Sequence, residues 1–261
     1  MEMKFIDYAY KENLLNIKIL PATIIGITGP TKQGIIDIIR LKTINKGQII
    51  IDGIKLTKEK INKYKKKITY VEKNFKSYHQ NILNIMNDYI KRHNLIIKDP
   101  TKKIKDSLKI VGLEERILER DIKSISSSET KLLQISMCLL SNPEVIILDD
   151  TFKFLDKQNE KKLNLLIQRL KEQFKKTIII VTEDSNILYK YTTEMVFIKN
   201  DEIFLSGPTN EVYLRVDNLK KNKFEIPDIV EFTYIAKKKK EVKIDYHKDV
   251  RDIIKDIYKH I

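Results

Sequence analysis

At 261 residues, with 42% hydrophobic and 33% charged side chains, the chain is long enough to bury a large core and too apolar to remain disordered. Its formal charge of +14 is spread over lysines scattered among isoleucines and asparagines, with no basic stripe interleaved with aromatics, which argues against a nucleic-acid binder. One cysteine excludes an internal disulfide or a cysteine-based zinc cluster, and the absence of a span-length apolar run or a signal core in MEMKFIDYAY predicts a cytoplasmic protein.

MKFIDYAY alternates as an edge strand does, and LLNIKIL reads as a second strand. The apolar run ATIIGITG predicts a buried strand entering a loop. A helix is expected next over IIDIIRLKTI, where Ile35, Ile38, Ile39 and Lys42 share a face. GQIIIDGIKL reads as strand, Asp-Gly turn and strand, since Asp-Gly suits the left-handed backbone of a tight hairpin. ITYVEK predicts a further strand. Residues 80–122 read as helical, with a break at Asp99-Pro100-Thr101 and a turn at VGLEERI.

A helix through Leu140, stopped by Ser141-Asn142-Pro143, leads to VIILDD, a continuous apolar run of the kind found in central parallel strands. Then come an amphipathic helix over 157–175, the strand TIIIVT, a helix after Glu183-Asp184 and a hairpin over MVFIKNDEIFLSG. Beyond Pro208 the composition turns polar and lysine-rich, with helices expected at 209–222 and 227–239. The runs Lys65–Lys67 and Lys237–Lys240 read as solvated surface, with anionic lipid headgroups as the other reading. Cys138, inside ISMCLL, reads as a small buried hydrophobe.

Strands alternating with helices predict a parallel α/β core, in which ligands sit at the carboxyl ends of strands. Two candidate segments fall there. The first is Gly29-Pro30-Thr31-Lys32-Gln33-Gly34-Ile35-Ile36, with the glycine spacing of a phosphate loop, G-x-x-x-x-G-K-[ST], but isoleucines where the lysine and the hydroxyl belong. The second is Asp149-Asp150, preceded by SISSSETKLLQISMCLLSNPEVIIL and followed by TFKFLD. Read blandly, the first is an ordinary strand–loop–helix turn, the serine run a helix cap, and the two acids caps of the next segment.

In order and spacing these segments resemble an ABC-type ATPase, closest to the ATP-binding subunits of energy-coupling factor (ECF) vitamin transporters, over about residues 3–240. The resemblance implies a P-loop ABC ATPase core over 1–207, with a helical subdomain at about 80–140, and a small C-terminal appendage over 208–261. It implies ATP and Mg²⁺ as cofactors. Asp149 matches the metal-positioning aspartate and Asp150 the glutamate that polarises water, one methylene too short. Lys73 falls at the usual glutamine and Glu183 at the usual histidine that contact the γ-phosphate, and Tyr10 at the aromatic that stacks on adenine. Ile125-Ser126-Ser127-Ser128-Glu129 matches the signature that completes the partner subunit's ATP site, and Leu155-Asp156 the loop linking the two sites.

Losses at Ile35, Ile36, Lys73 and Glu183 against partial survival of the signature predict a hydrolysis-deficient half. It would pair as a heterodimer with an intact second ATPase subunit, beside a membrane coupling protein and a substrate-binding membrane subunit, peripheral on the cytoplasmic face of the plasma membrane. That reading requires an exposed groove for a coupling helix between the central sheet and the 80–122 helices. Two alternatives stay open: a soluble nucleotide-binding regulatory module, and an active ATPase in which Lys32 replaces the missing lysine.

Overall fold

The computed structural model describes residues 1–42, 45–77, 80–240 and 245–259, without the side chains of 239, 240, 257 and 259. The chain divides into two compact units: Met1–Thr23 with Gln33–Ile179, and Ile24–Lys32 with Ile180–Ile261. In chain order the first elements are β1 (Met3–Tyr10), β2 (Asn13–Ile19), β3 (Ile24–Thr28) and α1 (Lys32–Ile39). Next come β4 (Gln48–Ile51), β5 (Ile54–Lys55), α2 (Ile61–Lys65), β6 (Ile68–Val71), α3 (Ile82–Arg92) and α4 (Pro100–Val111). The middle of the chain supplies α5 (Ser127–Leu140), β7 (Val145–Asp149), α6 (Lys157–Glu172), β8 (Thr177–Val181) and α7 (Ser185–Tyr191). The rest comprises β9 (Glu194–Lys199), β10 (Glu202–Pro208), α8 (Thr209–Tyr213), α9 (Val216–Lys221), α10 (Asp228–Lys240) and α11 (Val250–Lys259).

In the first unit, β2, β1, β4 and β5 form an antiparallel sheet. Met3, Phe5 and Tyr8 of β1 all face inward, although a strict alternation from Met3 would bury position 7. A bulge between Phe5 and Tyr8, with Asp7 at φ 46°, resets the phase, and Asn16 Oδ1 accepts the freed Asp7 N–H at 3.0 Å. The Asp52-Gly53 turn has positive φ at both residues, 49° and 77°, as its hairpin demands. β6 runs parallel to β7, and every residue of β7 and β8 is buried, the pattern of strands covered on both faces.

Helices α3, α4 and α5 enclose a separate apolar cluster that includes Ile82, Met86, Ile104, Leu108, Leu133 and Met137. The break expected at Asp99-Pro100 is a helix start. Asp99 accepts the Lys102 N–H, proline occupies the first turn, and Gly112 ends α4 at φ 78°. The helix expected over 35–44, whose last two residues lie outside the described ones, instead stops at Ile39, because Leu41 turns to φ 55° with its side chain 1% exposed.

In the second unit β3 lies parallel to β9, and β9 turns at Asn200-Asp201 to pair antiparallel with β10. Tyr213 of α8 packs edge-on against Tyr189 and Phe197. Asn186 and Asp228 exchange two hydrogen bonds, at 3.0 and 2.9 Å, tying α7 to the start of α10. The last helix, α11, has no counterpart among the sequence expectations. Ile253 is buried, and His247 and Asp256 close its base at 2.6 Å. Of the two lysine runs, Lys65, Lys66, Lys237 and Lys238 are exposed and Lys67 bonds Glu144, while the side chains of the last two lysines of the second run lie outside the described residues.

Candidate functional site

The loop after β3 keeps its glycines for steric reasons. Gly29 has φ 126°, and a Cβ there would lie 1.9 Å from the Ile198 carbonyl oxygen. A Cβ on Gly34 would lie 1.6 Å from the Tyr10 hydroxyl oxygen, so the half-buried Tyr10 ring rests on the start of α1. Thr31 Oγ1 accepts the Asp201 N–H at 2.9 Å, while Pro30 and Gln33 are exposed. Gln33 Nε2 reaches Asp37 Oδ1 at 3.4 Å. Ile35 and Ile36 point into the core and are 0% and 1% exposed. Lys32 Nζ lies 2.7 Å from Glu183 Oε1 and 3.3 Å from the Gly29 carbonyl. The cation inside the loop and the carboxylate after β8 are therefore an ion pair.

At the end of β7 the two acids part ways. Asp149 is buried and accepts a hydrogen bond from the Tyr70 hydroxyl on β6. Burial, reinforced by that bond, pushes the Tyr70 phenol well above its ordinary value, and the Arg40 guanidinium sits 3.7 Å from the ring centre. Asp150 stands at φ 44° before a short 3₁₀ turn over Thr151–Phe154 and makes no side-chain cap, so the bland capping reading fails there. Its Oδ2 lies 2.7 Å from Lys73 Nζ instead. Among the described residues no group of three or more His, Cys, Asp or Glu converges as a metal site.

Sequence reasoning missed Lys131. It is 4% exposed on α5, donates to the Glu72 carbonyl and, at 2.8 Å, to the Lys73 carbonyl, and lies 4.8 Å from the centre of the Phe154 ring. Burial lowers its pKa, against the pull of Asp149 and Asp150. The signal was available: a lone cation entering the apolar run LLQISMCLL has to find acceptors inside the protein. Cys138 in that run is 4% exposed, and burial pushes its thiol up to about 12.

The serine run opens α5 with a reciprocal cap. Ser126 Oγ accepts the Glu129 N–H at 3.1 Å, and Glu129 Oε2 accepts the Ser126 N–H at 2.8 Å. The backbone N–H of Ser126 is the main reason the Glu129 carboxyl is held below its ordinary value, with the Ser126 hydroxyl and Arg120 adding to it. Ser126 and Ser127 are exposed. Ser128 turns inward, donating to Asp156 Oδ2 at 3.0 Å and accepting the Asp156 N–H at 3.1 Å. Asp156 in turn caps α6 through the Asn159 N–H at 2.9 Å. The signature-like segment and Leu155-Asp156 are thus bonded into one structure.

Residues 13–153 match the ABC transporter family. A probable ABC transporter ATP-binding protein of Mesomycoplasma hyorhinis is 25% identical, covering 79% of this chain and 87% of its own. An energy-coupling factor transporter ATP-binding protein of Clostridium acetobutylicum is 26% identical, covering 88% and 81%. Among solved structures, cbiO1 of Clostridium perfringens, described as part of the ABC transporter complex cbiONQ, superposes with a TM-score of 0.71 at 19% identity, over 89% of this chain and 98% of that one. A dimeric ATP-binding cassette bound to ADP and Pi gives 0.67 at 23% identity, over 79% and 98%. The fold is therefore that of the P-loop ABC cassettes, and the chain belongs to the ABC transporter family as an ATPase subunit similar to those of energy-coupling factor transporters.

Proposed function

We propose that this ABC subunit serves an ECF-type importer of a small molecule such as a vitamin or a metal ion. It would act at the cytoplasmic face of the plasma membrane as the non-hydrolysing half of a heterodimeric ATPase. Its partner would be an intact ATPase subunit, and both would dock on a membrane coupling protein that works with a substrate-binding membrane subunit. No helix among the described residues is long and apolar enough to cross a membrane, so attachment would come through those partners. The membership of cbiO1 in a multi-subunit complex supports this arrangement by analogy.

One observation carries the non-hydrolysing assignment: the charges that nucleotide and metal would need are already matched by the chain's own side chains. Lys32 is neutralised by Glu183 and Asp150 by Lys73, both at 2.7 Å. A triphosphate arriving beside Glu183 would meet a like charge, a repulsion of about 1–4 kcal/mol at contact distance. The buried Ile35 and Ile36 supply neither an ammonium nor a hydroxyl, each a charge-assisted contact of about 1.5–3 kcal/mol. Asp149 is engaged by Tyr70. These residues do not fit a magnesium-bound triphosphate. The exposed start of α5, by contrast, still offers backbone amides and two hydroxyls to an anion on a partner.

The test is nucleotide binding and turnover by the purified chain. Calorimetry should detect no Mg²⁺-dependent ATP binding at micromolar concentration, and phosphate release should stay at background. Ordinary turnover by the chain alone, abolished by Lys32→Ala, would replace this reading with that of an active enzyme.

A further inference from the structure

Lys131 is a buried charge that the proposed function leaves unused. It lies on α5, 4% exposed, with its ammonium at the ends of two neighbouring strands. β6 and β7 run parallel with Val71 opposite Leu148, so Glu72-Lys73 and Asp149-Asp150 emerge side by side. Lys131 donates to the carbonyl oxygens of Glu72 and, at 2.8 Å, of Lys73. It also lies 4.8 Å from the centre of the Phe154 ring, in the short turn that follows Asp150. One side chain therefore touches what comes after β6 and what comes after β7. Carbonyl dipoles and a ring face compensate a buried ammonium only in part, and a charge at that depth calls for an opposite charge nearby. Burial works against the charged lysine, whereas Asp149, Asp150 and then Glu72, itself exposed, favour it, and Lys73 opposes it.

We propose that Lys131 is a positioning residue and a built-in cation. It fixes the Glu72-Lys73 segment so that Lys73 reaches Asp150, and with Lys73 it supplies the positive charge that a divalent ion would otherwise bring to Asp149 and Asp150. Each part has its own contact. The Lys73 carbonyl is held by Lys131 while the Lys73 ammonium lies 2.7 Å from Asp150 Oδ2. Asp149 accepts from Tyr70 on β6, the strand whose end Lys131 secures. Two ammoniums carry the charge of one divalent cation, and both belong to the chain, so the acids are compensated in every state of the protein. The inference deepens the non-hydrolysing reading and rests on it for the view that the two acids would otherwise serve a metal.

The experiment is Mn²⁺ binding to the full chain without nucleotide, read by electron paramagnetic resonance, with thermal unfolding followed in the presence and absence of Mg²⁺. The parent chain should bind no Mn²⁺ at millimolar concentration and should unfold at the same temperature with or without Mg²⁺. Lys131→Met should bind Mn²⁺ at least about tenfold more tightly than the parent, because a buried neighbouring positive charge is worth at least that factor to an incoming cation. Adding Asp149→Asn should abolish the gain, and Lys131→Arg should behave as the parent does. A lysine that serves packing alone would lower the unfolding temperature of Lys131→Met and leave it indifferent to both ions, which would overturn the proposal. Mn²⁺ binding by the parent as tight as by the variant would do the same. If Lys131→Met fails to fold, Lys73→Ala decides: it removes the half-exposed partner cation and should show a smaller gain, and no gain there overturns the proposal. ATP turnover by the parent would instead remove the non-hydrolysing reading, so the two failures appear in different assays.

Discussion

The loop around Lys32 and the helix start around Ser126 have both lost family residues, but the replacements differ in kind. In the loop the replacements Ile35 and Ile36 are apolar and buried, while beyond it Glu183 pairs with Lys32 and Lys73 with Asp150 at the end of β7. At the helix start the substitutes are small and polar. Ser128 and Glu129 are absorbed into caps and cross-links, while Ser126 and Ser127 remain at the surface. The first kind of change leaves charges matched within the chain. The second keeps a helix terminus intact and accessible. Damage to a motif is therefore a poor guide to lost function unless the new partners of the replaced residues are known.

The contrast can be broken most decisively in the assembled pair. With an intact partner ATPase present, Ser127→Asp should lower ATP turnover about a hundredfold, because a carboxylate would face the partner's triphosphate at contact distance. Aspartate in the first turn of a helix is otherwise favourable, so α5 should survive the change. Lys32→Ala in the same assay should change turnover little. Phosphate release on the reconstituted pair is the measurement, and a reversal of the two effects would exchange the roles of the two regions.

A stability experiment comes next. Ser128→Val removes a hydroxyl that both donates to and accepts from Asp156 within a closed site, and should cost about 1–3 kcal/mol in urea denaturation. A cost near zero would mean that the helix start and Leu155-Asp156 are not mechanically joined. The pair at the other region should be weaker. A double-mutant cycle with Lys73→Ala and Asp150→Ala should give a coupling of under about 1 kcal/mol, because Lys73 is half exposed. A coupling several times larger would make that pair a structural clamp rather than a charge match.

The architecture was legible because its signals are local. The Asp-Gly turn and the buried runs of β7 and β8 each depend on residues a few positions apart. The bulge at Asp7 was not, since an alternating strand carries no mark of where its phase is reset. The early end of α1 was hidden for a similar reason: Leu41 satisfies the helical spacing but turns left-handed to bury itself. The residue types at Ile35, Ile36, Lys73 and Glu183 were plain in the sequence, and with them the proposal that they replace family residues. The pairing of the charged ones was not, because Lys32 and Glu183 are 151 residues apart and Lys73 and Asp150 also lie far apart in sequence. Lys131 announced itself only as an oddity, a cation in an apolar helix whose acceptors are backbone carbonyls and so leave no trace in side-chain patterns.

The smallest effect distinguishes a cap from a binding residue. If Glu129 serves α5 and not a nucleotide, Glu129→Gln keeps an acceptor for the Ser126 N–H and loses only the charge. At neutral pH the cost should be about 0.3–1 kcal/mol, the worth of a carboxylate in a first turn. The pH dependence fixes the sign. The folded protein holds the Glu129 carboxyl below its ordinary 4.5, so the charged form contributes stability above that value and loses it as pH falls through the lowered folded one. The gap in unfolding free energy between the parent chain and Glu129→Gln should thus be constant from neutral pH down to about 5 and close below it. Denaturation at pH 7 and pH 3 reads it directly. A gap that persists in acid would mean the carboxylate charge does nothing for the helix, leaving Glu129 free to act on a partner's ligand.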